Sequence, residues 1–378
     1  MKKSDVLILI NTLLIFAIFL SITGFFADVS NTVKYGGVDL RNRVVGARVA
    51  LNQMDPYFYK WSEGSPEYFL DPPDHPNLPV NRVTVPPTVL QFHSIFCDLP
   101  YSLQRFGWTI FQWVMLLSAI ALLGKSTDDK SNSKLIWIVC LFFVADSYIF
   151  RLHVERGQIY ILYTFLIALS YYLIIRLKRN SDFWSGLIAG YASALRFPML
   201  LIGLPFLLCK RWKFLIGQVF GFAIGISASF LFIKPHIWKS YFSAMNLHGL
   251  VHEGIIKITS ERYPHINIDG IKNLYIGARL PVSDSSVQGM MHNIGIQLSS
   301  GFLLVVFSVV VALLMFFFLK IKNKYKTTGF LFLLGSIIII ISEIFLPAAR
   351  YNYSDVIMLI PLSLVILDSK NLLEILKQ

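Results

Sequence analysis

Cysteine is scarce in this chain of 378 residues, which holds only Cys97, Cys140 and Cys209. These three lie too far apart in the sequence for a disulfide framework or a zinc site, so we expect neither. The chain also lacks a Gly-rich phosphate loop, a G-x-S-x-G motif and an H-E-x-x-H motif. Nucleotide hydrolysis, serine hydrolysis and zinc catalysis therefore have no local support.

Charged residues are scarce as well. They make up 15% of the chain, against 55% hydrophobic residues, and the mean hydropathy is +0.60. This composition predicts an all-α polytopic integral membrane protein. The net charge of +12 does not indicate nucleic acid, because the basic residues are scattered in short loops beside apolar segments. We interpret them as topology signals and expect no nucleic-acid partner.

The apolar segments predict a single membrane domain over residues 1–378 with about eight full spans. The first apolar segment follows Lys2 and Lys3 as a signal sequence would, but it has no clear small-x-small cleavage site, so we interpret it as a retained anchor. The predicted spans are 6–26, 103–123, 134–150, 157–175, 214–233, 298–319, 329–346 and 355–367.

The apolar segment 183–209 differs from the others. Basic residues flank both of its ends, and Arg196 and Pro198 interrupt its middle. A broken helix at membrane depth is tolerated only where protein surrounds it. We therefore predict a re-entrant pair of short helices that enters and leaves on the same side of the membrane.

Basic residues also predict the orientation of the chain. Only three fall in the short turns 151–157 and 347–354, whereas the other short connections are rich in them. The positive-inside rule then places both termini in the cytoplasm. The long segments 27–102 and 234–296 become external loops, which we expect to carry amphipathic surface helices.

The segment 36–61 in the first of these loops holds a carboxylate in an accessible place. Asp39 follows Gly36 and Gly37, whose missing side chains permit a tight turn. Apolar residues then recur at spacings of three and four from Leu40 to Leu51, which predicts an amphipathic helix able to lie on a bilayer surface. The pattern alone fits an ordinary connector equally well.

With this topology, several polar residues share the external membrane surface with Asp39. Each alone could be a solvated loop residue; together they form a candidate substrate-binding set of His153, Arg156, Gln158, His292 and Arg350.

Arg196 is the sixth candidate, because it lies inside an apolar segment. An arginine at mid-membrane costs roughly 2.5 kcal/mol or more, so it should face a cavity and bind an anion, or else snorkel to an interface. For Glu343 and Asp146, near the outer ends of their spans, we expect structural pairing.

One carboxylate among several cations suits glycosyl transfer with inversion. Such a reaction needs a base for the proton of the acceptor hydroxyl. If the leaving group is a lipid phosphate, no acid is required, and a cation beside the phosphate is needed instead. Asp39 can supply the base, and Arg196, Arg156 or Arg350 the cation.

Several motifs together resemble glycosyltransferase family 87, a branch of the GT-C superfamily. The similar elements occur in family order: Asp39 to Asp55-Pro56-Tyr57, Val85-Pro86-Pro87, Gly157-Gln158, and Ala194-Leu195-Arg196-Phe197-Pro198 through Lys210-Arg211-Trp212. The resemblance covers most of residues 20–215 and is weaker afterward.

The resemblance implies a GT-C-like bundle that transfers a sugar, typically mannose, from a polyprenyl-phosphate donor to a lipid or glycan acceptor. It also implies that Asp39 is the general base and that the reaction occurs at the outer face of a bacterial inner membrane. The expected partners are the donor, the acceptor and membrane lipids. No cofactor is expected, and the residues leave metal dependence open, since no convincing ligand set is evident.

Two other classes remain as alternatives. A transporter or flippase for lipid-linked sugars would usually show internal repeats and charges near mid-membrane, whereas here the polar residues gather at one face. A non-catalytic scaffold would leave Arg196 and the two long loops without a task.

Overall fold

A computed structural model describes residues 3–59, 61, 63–70, 83–145, 147–252, 284–346 and 350–377. These ranges contain α-helices, short 3₁₀ and π turns and no strands, so the predicted all-α membrane fold is confirmed. The helices are α1 Lys3–Tyr35, α2 Val38–Leu51, α3 Pro87–Ser94, α4 Tyr101–Lys125, α5 Lys130–Cys140, α6 Tyr148–Arg156, α7 Tyr160–Arg176, α8 Ser181–Leu195, α9 Leu204–Leu208, α10 Trp212–Ser229, α11 Pro235–His252, α12 Val287–Asn293, α13 Ser300–Lys320, α14 Thr328–Phe345, α15 Leu359–Leu367 and α16 Ser369–Leu376.

Five of these helices, α1, α4, α10, α13 and α14, are long and apolar enough to cross a membrane. Two bent pairs raise the number of candidate spans to seven. One pair joins α5 to α6 at 67° through a π-helical turn at Leu141–Ala145, where the sequence predicted one straight span over 134–150. The other pair bends by 76° between Asn352–Leu367 and α16. The remaining predicted span, 157–175, corresponds to α7, which has 17 residues and is shorter than these five helices.

The re-entrant segment is visible in the contacts of α10. Glycines let α8 and α10 pack backbone against backbone, because a Cβ on Gly190 would overlap the Gln218 carbonyl and one on Gly221 the Leu187 carbonyl. Similar contacts pair Phe183 with Gly217 and Ala194 with Gly225. Residues further along α8 therefore contact residues further along α10, so the two helices run parallel.

The segment between them runs the opposite way. α8 ends at Leu195, Arg196 is extended at φ −150°, and a 3₁₀ helix at Phe197–Gly203 leads into α9. Leu200 accepts a hydrogen bond from the Gln218 side chain at 3.0 Å, and Phe206 stacks on Phe214 at 3.9 Å between ring centroids. Both ends of the hairpin therefore lie at the same end of α10, as the sequence predicted.

Polar contacts gather at the two ends of the bundle. One end holds the pairs Arg176–Asp128 and Arg211–Asp182, together with the Thr327 hydroxyl bonded to Asp368. The opposite end holds the turn before α2, the α6–α7 turn and the segment that follows α14. This second end carries the candidate site.

Candidate active site

The two glycines before Asp39 form the turn that the sequence predicted. Gly37 adopts a left-handed conformation, φ +89°, and its N–H donates to the Glu155 carbonyl at 2.7 Å. A Cβ at Gly37 would overlap the Tyr101 hydroxyl. The close approach of α2, α4 and α6 therefore depends on glycine here, and it places Asp39 in the first turn of α2.

Helix α2 is packed inside the protein. Its apolar residues Leu40, Val44, Ala47 and Ala50 are each at most 2% exposed, and the helix contacts α3 and α6. Protein therefore covers the face that the sequence allowed to lie on the bilayer.

Two side chains of the α6–α7 turn bind the Asp39 carboxylate. Arg156 forms a fork with it, Nε to Oδ2 at 2.6 Å and a terminal nitrogen to Oδ1 at 3.1 Å. The Gln158 amide donates to Oδ2 as well. A carboxylate offers about four acceptor positions, so one remains for a substrate hydroxyl. The Asp39 side chain is 20% exposed and can be reached.

A cavity of about 100 Å³ opens beside this carboxylate. Residues distant in sequence surround it, and Asp39 is the only carboxylate among the described residues that line it. The lining residues are Asp39, Asn42, Arg43, Val83, Thr84, Val85, Gln158, Ile159, Tyr160, Tyr163, Arg196 and Tyr353.

Arg43 is the buried cation of this cavity. It is 4% exposed and donates to the Gln158 side chain at 3.3 Å and to the Gly157 carbonyl. Within the described part of the chain, no carboxylate forms a salt bridge with it, and its Nε has no hydrogen-bond partner. Burial lowers the pKa of the Arg43 guanidinium, because desolvation disfavours the charged form, and nearby Asp39 opposes that shift.

Arg196 enters the same cavity from the break after α8. Its Nε donates to Glu343 Oε1 at 2.7 Å, and a terminal nitrogen bonds the other oxygen. The guanidinium lies over the Tyr160 ring at 4.9 Å, within cation–π range. The structural pairing expected for Glu343 is therefore confirmed; Asp146 lies outside the described residues.

The remaining predicted residues lie near the cavity or away from it. The Arg156 guanidinium, which binds Asp39, also lies over the Tyr351 and Tyr353 rings, 5.5 and 5.8 Å from their centroids. His153 is fully buried, and its Nε2 accepts the Ile161 N–H at 3.2 Å, so it fixes the α6–α7 turn.

Arg350 and His292 belong to the segments that border the site. The Arg350 side chain bonds Asp355 and, at 3.0 Å, the Ser285 hydroxyl, which ties residues 284–286 to the turn that carries Tyr353. His292, at the end of α12, does not line the cavity.

Of the residues around the cavity, sequence reasoning assigned a role in the site to Asp39, Gln158 and Arg196, and among those it missed are Arg43, Tyr163 and Tyr353. One signal was available for Arg43, because it follows Asp39 by four residues in a helix, and side chains at that spacing share a face. The two tyrosines gave no local signal. Among the described residues, no group of three or more His, Cys, Asp or Glu side chains could hold a metal ion.

The fold defines a polytopic helical membrane protein, and the site adds a carboxylate and arginines around a small cavity at one end of its bundle. Residues 84–342, about two thirds of the chain, match the family model of glycosyltransferase family 87. The chain belongs to this family and is a glycosyltransferase. The match extends well beyond residue 215, where the resemblance in sequence weakened, and it does not include Asp39 or Arg350. No curated protein and no solved structure matches the chain.

Proposed function

We propose that this glycosyltransferase moves a sugar from a polyprenyl-phosphate donor to a hydroxyl of a lipid or glycan acceptor, with inversion at the anomeric carbon. The observation that carries the proposal is the cavity in which Asp39, Arg43 and Arg196 meet. Mannose is the first sugar to test, because the resemblance to the family favours it.

The charges around the cavity support an anionic donor. Arg156 is paired with Asp39 and Arg196 with Glu343, so the two carboxylates neutralise two of the three arginines. Arg43 leaves one positive charge in excess. A buried charge without a partner is costly, and a phosphate in the cavity would remove that cost by accepting charge-assisted hydrogen bonds from Arg43 and Arg196.

In the proposed reaction, the acceptor oxygen attacks the anomeric carbon from the face opposite the phosphate. The bond from that carbon to the phosphate oxygen breaks, and polyprenyl phosphate leaves with the electron pair. Asp39 takes the proton of the acceptor hydroxyl as the new bond forms. The fork with Arg156 fixes the direction of the carboxylate, and Gln158 holds Asp39 and Arg43 in one network.

The site is proposed to face outward from a bacterial inner membrane, with both termini in the cytoplasm. The support is the distribution of basic residues: the segments at the end opposite the site carry Lys125, Arg176, Lys210, Arg211 and Lys326, as expected of a cytoplasmic face.

The test uses purified protein in vesicles with a panel of radiolabelled polyprenyl-phosphate sugars and the same sugars as nucleotides. Transfer of label from a polyprenyl-phosphate sugar to an acceptor supports the proposal. Transfer only from nucleotide sugars contradicts it. Movement of the intact donor across the membrane without transfer would instead favour the flippase.

The phosphate contact is tested by Arg43→Gln, with Arg48→Gln as the matched control on the same helix. Arg48 bonds the Cys97 carbonyl at 2.8 Å and does not line the cavity. Because a hydrogen bond to a charged group contributes about 1.5–3 kcal/mol, Arg43→Gln should raise the KM for the donor by roughly 10- to 150-fold. Arg48→Gln should leave that KM unchanged; an equal rise in both variants would remove Arg43 from the phosphate site.

A further inference from the structure

Three tyrosines line the cavity, and the reaction proposed above gives them no part. Tyr160 and Tyr163 lie one turn apart at the start of α7, so they share a face of that helix. Tyr353 enters from the 3₁₀ helix at Asn352–Met358. The centroid of the Tyr160 ring lies 5.6 Å from that of Tyr163 and 5.9 Å from that of Tyr353. The three rings therefore form one surface, which we call the tyrosine wall.

The hydroxyls of the tyrosine wall are available to a ligand. Within the ranges that the structure describes, no protein group forms a hydrogen bond with the hydroxyl of Tyr160, Tyr163 or Tyr353. Tyr163 is the clearest case, because it is only 2% exposed, yet protein does not close off its hydroxyl oxygen. That oxygen therefore faces the cavity. A buried hydroxyl without a partner costs free energy, and a hydrogen bond to a ligand would remove that cost.

The tyrosine wall extends between the two charged parts of the cavity. The Arg196 guanidinium lies 4.9 Å from the centroid of the Tyr160 ring. The Arg156 guanidinium, which binds Asp39, lies 5.8 Å from the centroid of the Tyr353 ring. In the proposed reaction the phosphate binds at Arg196 and the acceptor hydroxyl at Asp39, so the transferred sugar lies between them, against the wall. Tyrosine suits this place, because its ring packs on C–H groups and its hydroxyl both donates and accepts.

The charges around the cavity restrict the kind of sugar. Asp39 is the only carboxylate among the described residues that line the cavity, and Arg156 and Gln158 already bind it. An ammonium group on the sugar would therefore face arginines without a free carboxylate to bind. A sugar that carries hydroxyls and no positive charge meets no such repulsion.

We propose that the tyrosine wall binds the transferred sugar as an uncharged sugar and that the Tyr163 hydroxyl selects it by a hydrogen bond to one sugar hydroxyl. This inference rests on the proposed function for the order of phosphate, sugar and acceptor in the cavity. A site that hydrogen-bonds a substrate hydroxyl rejects the analogue that lacks it, because the polar group of the site is then left unpaired.

The test combines Tyr163→Phe, which removes only the phenolic oxygen, with a set of donors that each lack one hydroxyl of the sugar. Tyr163→Phe should lower kcat/KM for the complete sugar by roughly 5- to 150-fold, because one sugar hydroxyl is left unpaired. For one of the deoxy donors the variant should lose nothing, because the partner of the Tyr163 hydroxyl is already absent. A donor with an amino sugar should react at least about tenfold more slowly than its hydroxyl parent.

Tyr171→Phe is the matched control on the same helix. Tyr171 is 4% exposed, does not line the cavity, and its hydroxyl also has no hydrogen-bond partner in the described part of the chain. This change should leave kcat/KM unchanged for every donor. Neither change should lower the melting temperature, because neither removes a hydrogen bond within the protein. A lower melting temperature or a failure to fold in Tyr163→Phe would therefore contradict the inference.

Two further results would overturn the inference. If Tyr163→Phe lost nothing with the complete sugar, its hydroxyl would not bind the substrate. Equal losses with the complete sugar and with every deoxy donor would place that hydroxyl on the phosphate instead. An amino sugar that reacted as fast as its parent would contradict the selection of an uncharged sugar.

A failure of the proposed function looks different. Polyprenyl-phosphate sugars would then give no transfer, and the same comparison is made with nucleotide sugars. If neither carrier supports transfer, equilibrium binding of the same donors to the purified protein replaces kcat/KM. The inference then requires the wild type to bind the complete sugar more tightly than Tyr163→Phe does, and equal affinities, or no binding by the wild type, contradict it.

Discussion

Two regions of this protein bring distant segments together by opposite means. Between α8 and α10 the contact is made of missing side chains, with glycines such as Gly190 and Gly221 against bare carbonyl groups. Around the cavity the contact is made of charged and polar side chains, with Arg156 and Gln158 both bonded to Asp39. The first arrangement allows one packing and offers nothing to a ligand. The second arrangement orients the polar side chains and leaves hydrogen-bonding capacity free for a ligand.

Replacing Asp39 by asparagine should give the largest effect, because it removes the base and keeps the shape of the side chain. A general base contributes about 100- to 10,000-fold in rate, so turnover should fall at least about 100-fold, or roughly 2.7 kcal/mol in barrier. Thermal stability should change little, because Arg156 is 34% exposed and can be solvated. Turnover and melting temperature of the purified variant measure the two effects.

Asp55→Asn is the control for that experiment. Asp55 accepts the Tyr57 N–H at 2.9 Å and stabilises the turn after α2, as expected for a residue before Pro56. Its loss should lower stability more than the rate per folded molecule. Near-normal turnover in Asp39→Asn would contradict Asp39 as the base, and Glu155, next to Arg156 in the last turn of α6, would be the next carboxylate to test.

Arg196→Ala tests whether a charged contact at the cavity supports the fold as well as the reaction. It would leave Glu343, whose side chain is 4% exposed, as a buried carboxylate without its partner. Breaking such a pair costs about 3–5 kcal/mol, so the melting temperature and the yield of folded protein should drop along with activity.

The double variant Arg196→Ala/Glu343→Gln separates the two roles. It removes both charges, so stability should recover, while transfer stays low if Arg196 also holds the donor phosphate. Arg196→Lys should keep partial activity, since the charge remains and the fork is lost. If the double variant regained full activity, Arg196 would have a structural role only.

The glycine contact should respond to a single methyl group. Gly221→Ala pushes a Cβ into the Leu187 carbonyl, so α8 and α10 must separate, and overpacking of this kind costs about 1–3 kcal/mol. Gly107→Ala is the matched change in open space and should stabilise α4 by up to about 1 kcal/mol. Melting temperatures in one detergent compare the two; equal values would mean that the backbone contact is not tight.

The break in the re-entrant segment could be predicted because its signals are local. Arg196 and Pro198 cannot continue an apolar helix in lipid, and the flanking basic residues fix the side of each end. The signal for the turn before Asp39 was equally local, because glycine accepts the left-handed conformation that Gly37 adopts there. The bend between α5 and α6 was not predicted, although Ser147, whose side chain accepts the Phe150 N–H and caps α6, is a local signal for a helix start within the predicted span.

The partners in the site could not be predicted in the same way. Asp39 and Arg156 are 117 residues apart, and only the packing of α2 against α6 brings them together. Arg43 was overlooked because an amphipathic pattern assigns arginines to the polar, exposed face, whereas tertiary packing buries this one. The glycines of α8 and α10 did carry a signal, since small residues four apart typically mark close helix packing in membranes.

The parallel pairing of α8 with α10 also sets an order for biosynthesis. At roughly 5–20 residues per second, a ribosome needs about 2 to 7 s to proceed from the end of α8 to the end of α10. During that interval the glycine face of α8 has no α10 to contact, and the segment that follows α8, the 3₁₀ helix and α9, only returns to the side on which α8 began. We expect α8, α9 and α10 to enter the bilayer as one unit, so the earliest stage at which this part of the enzyme can be correctly folded is after Ser229 has left the ribosome.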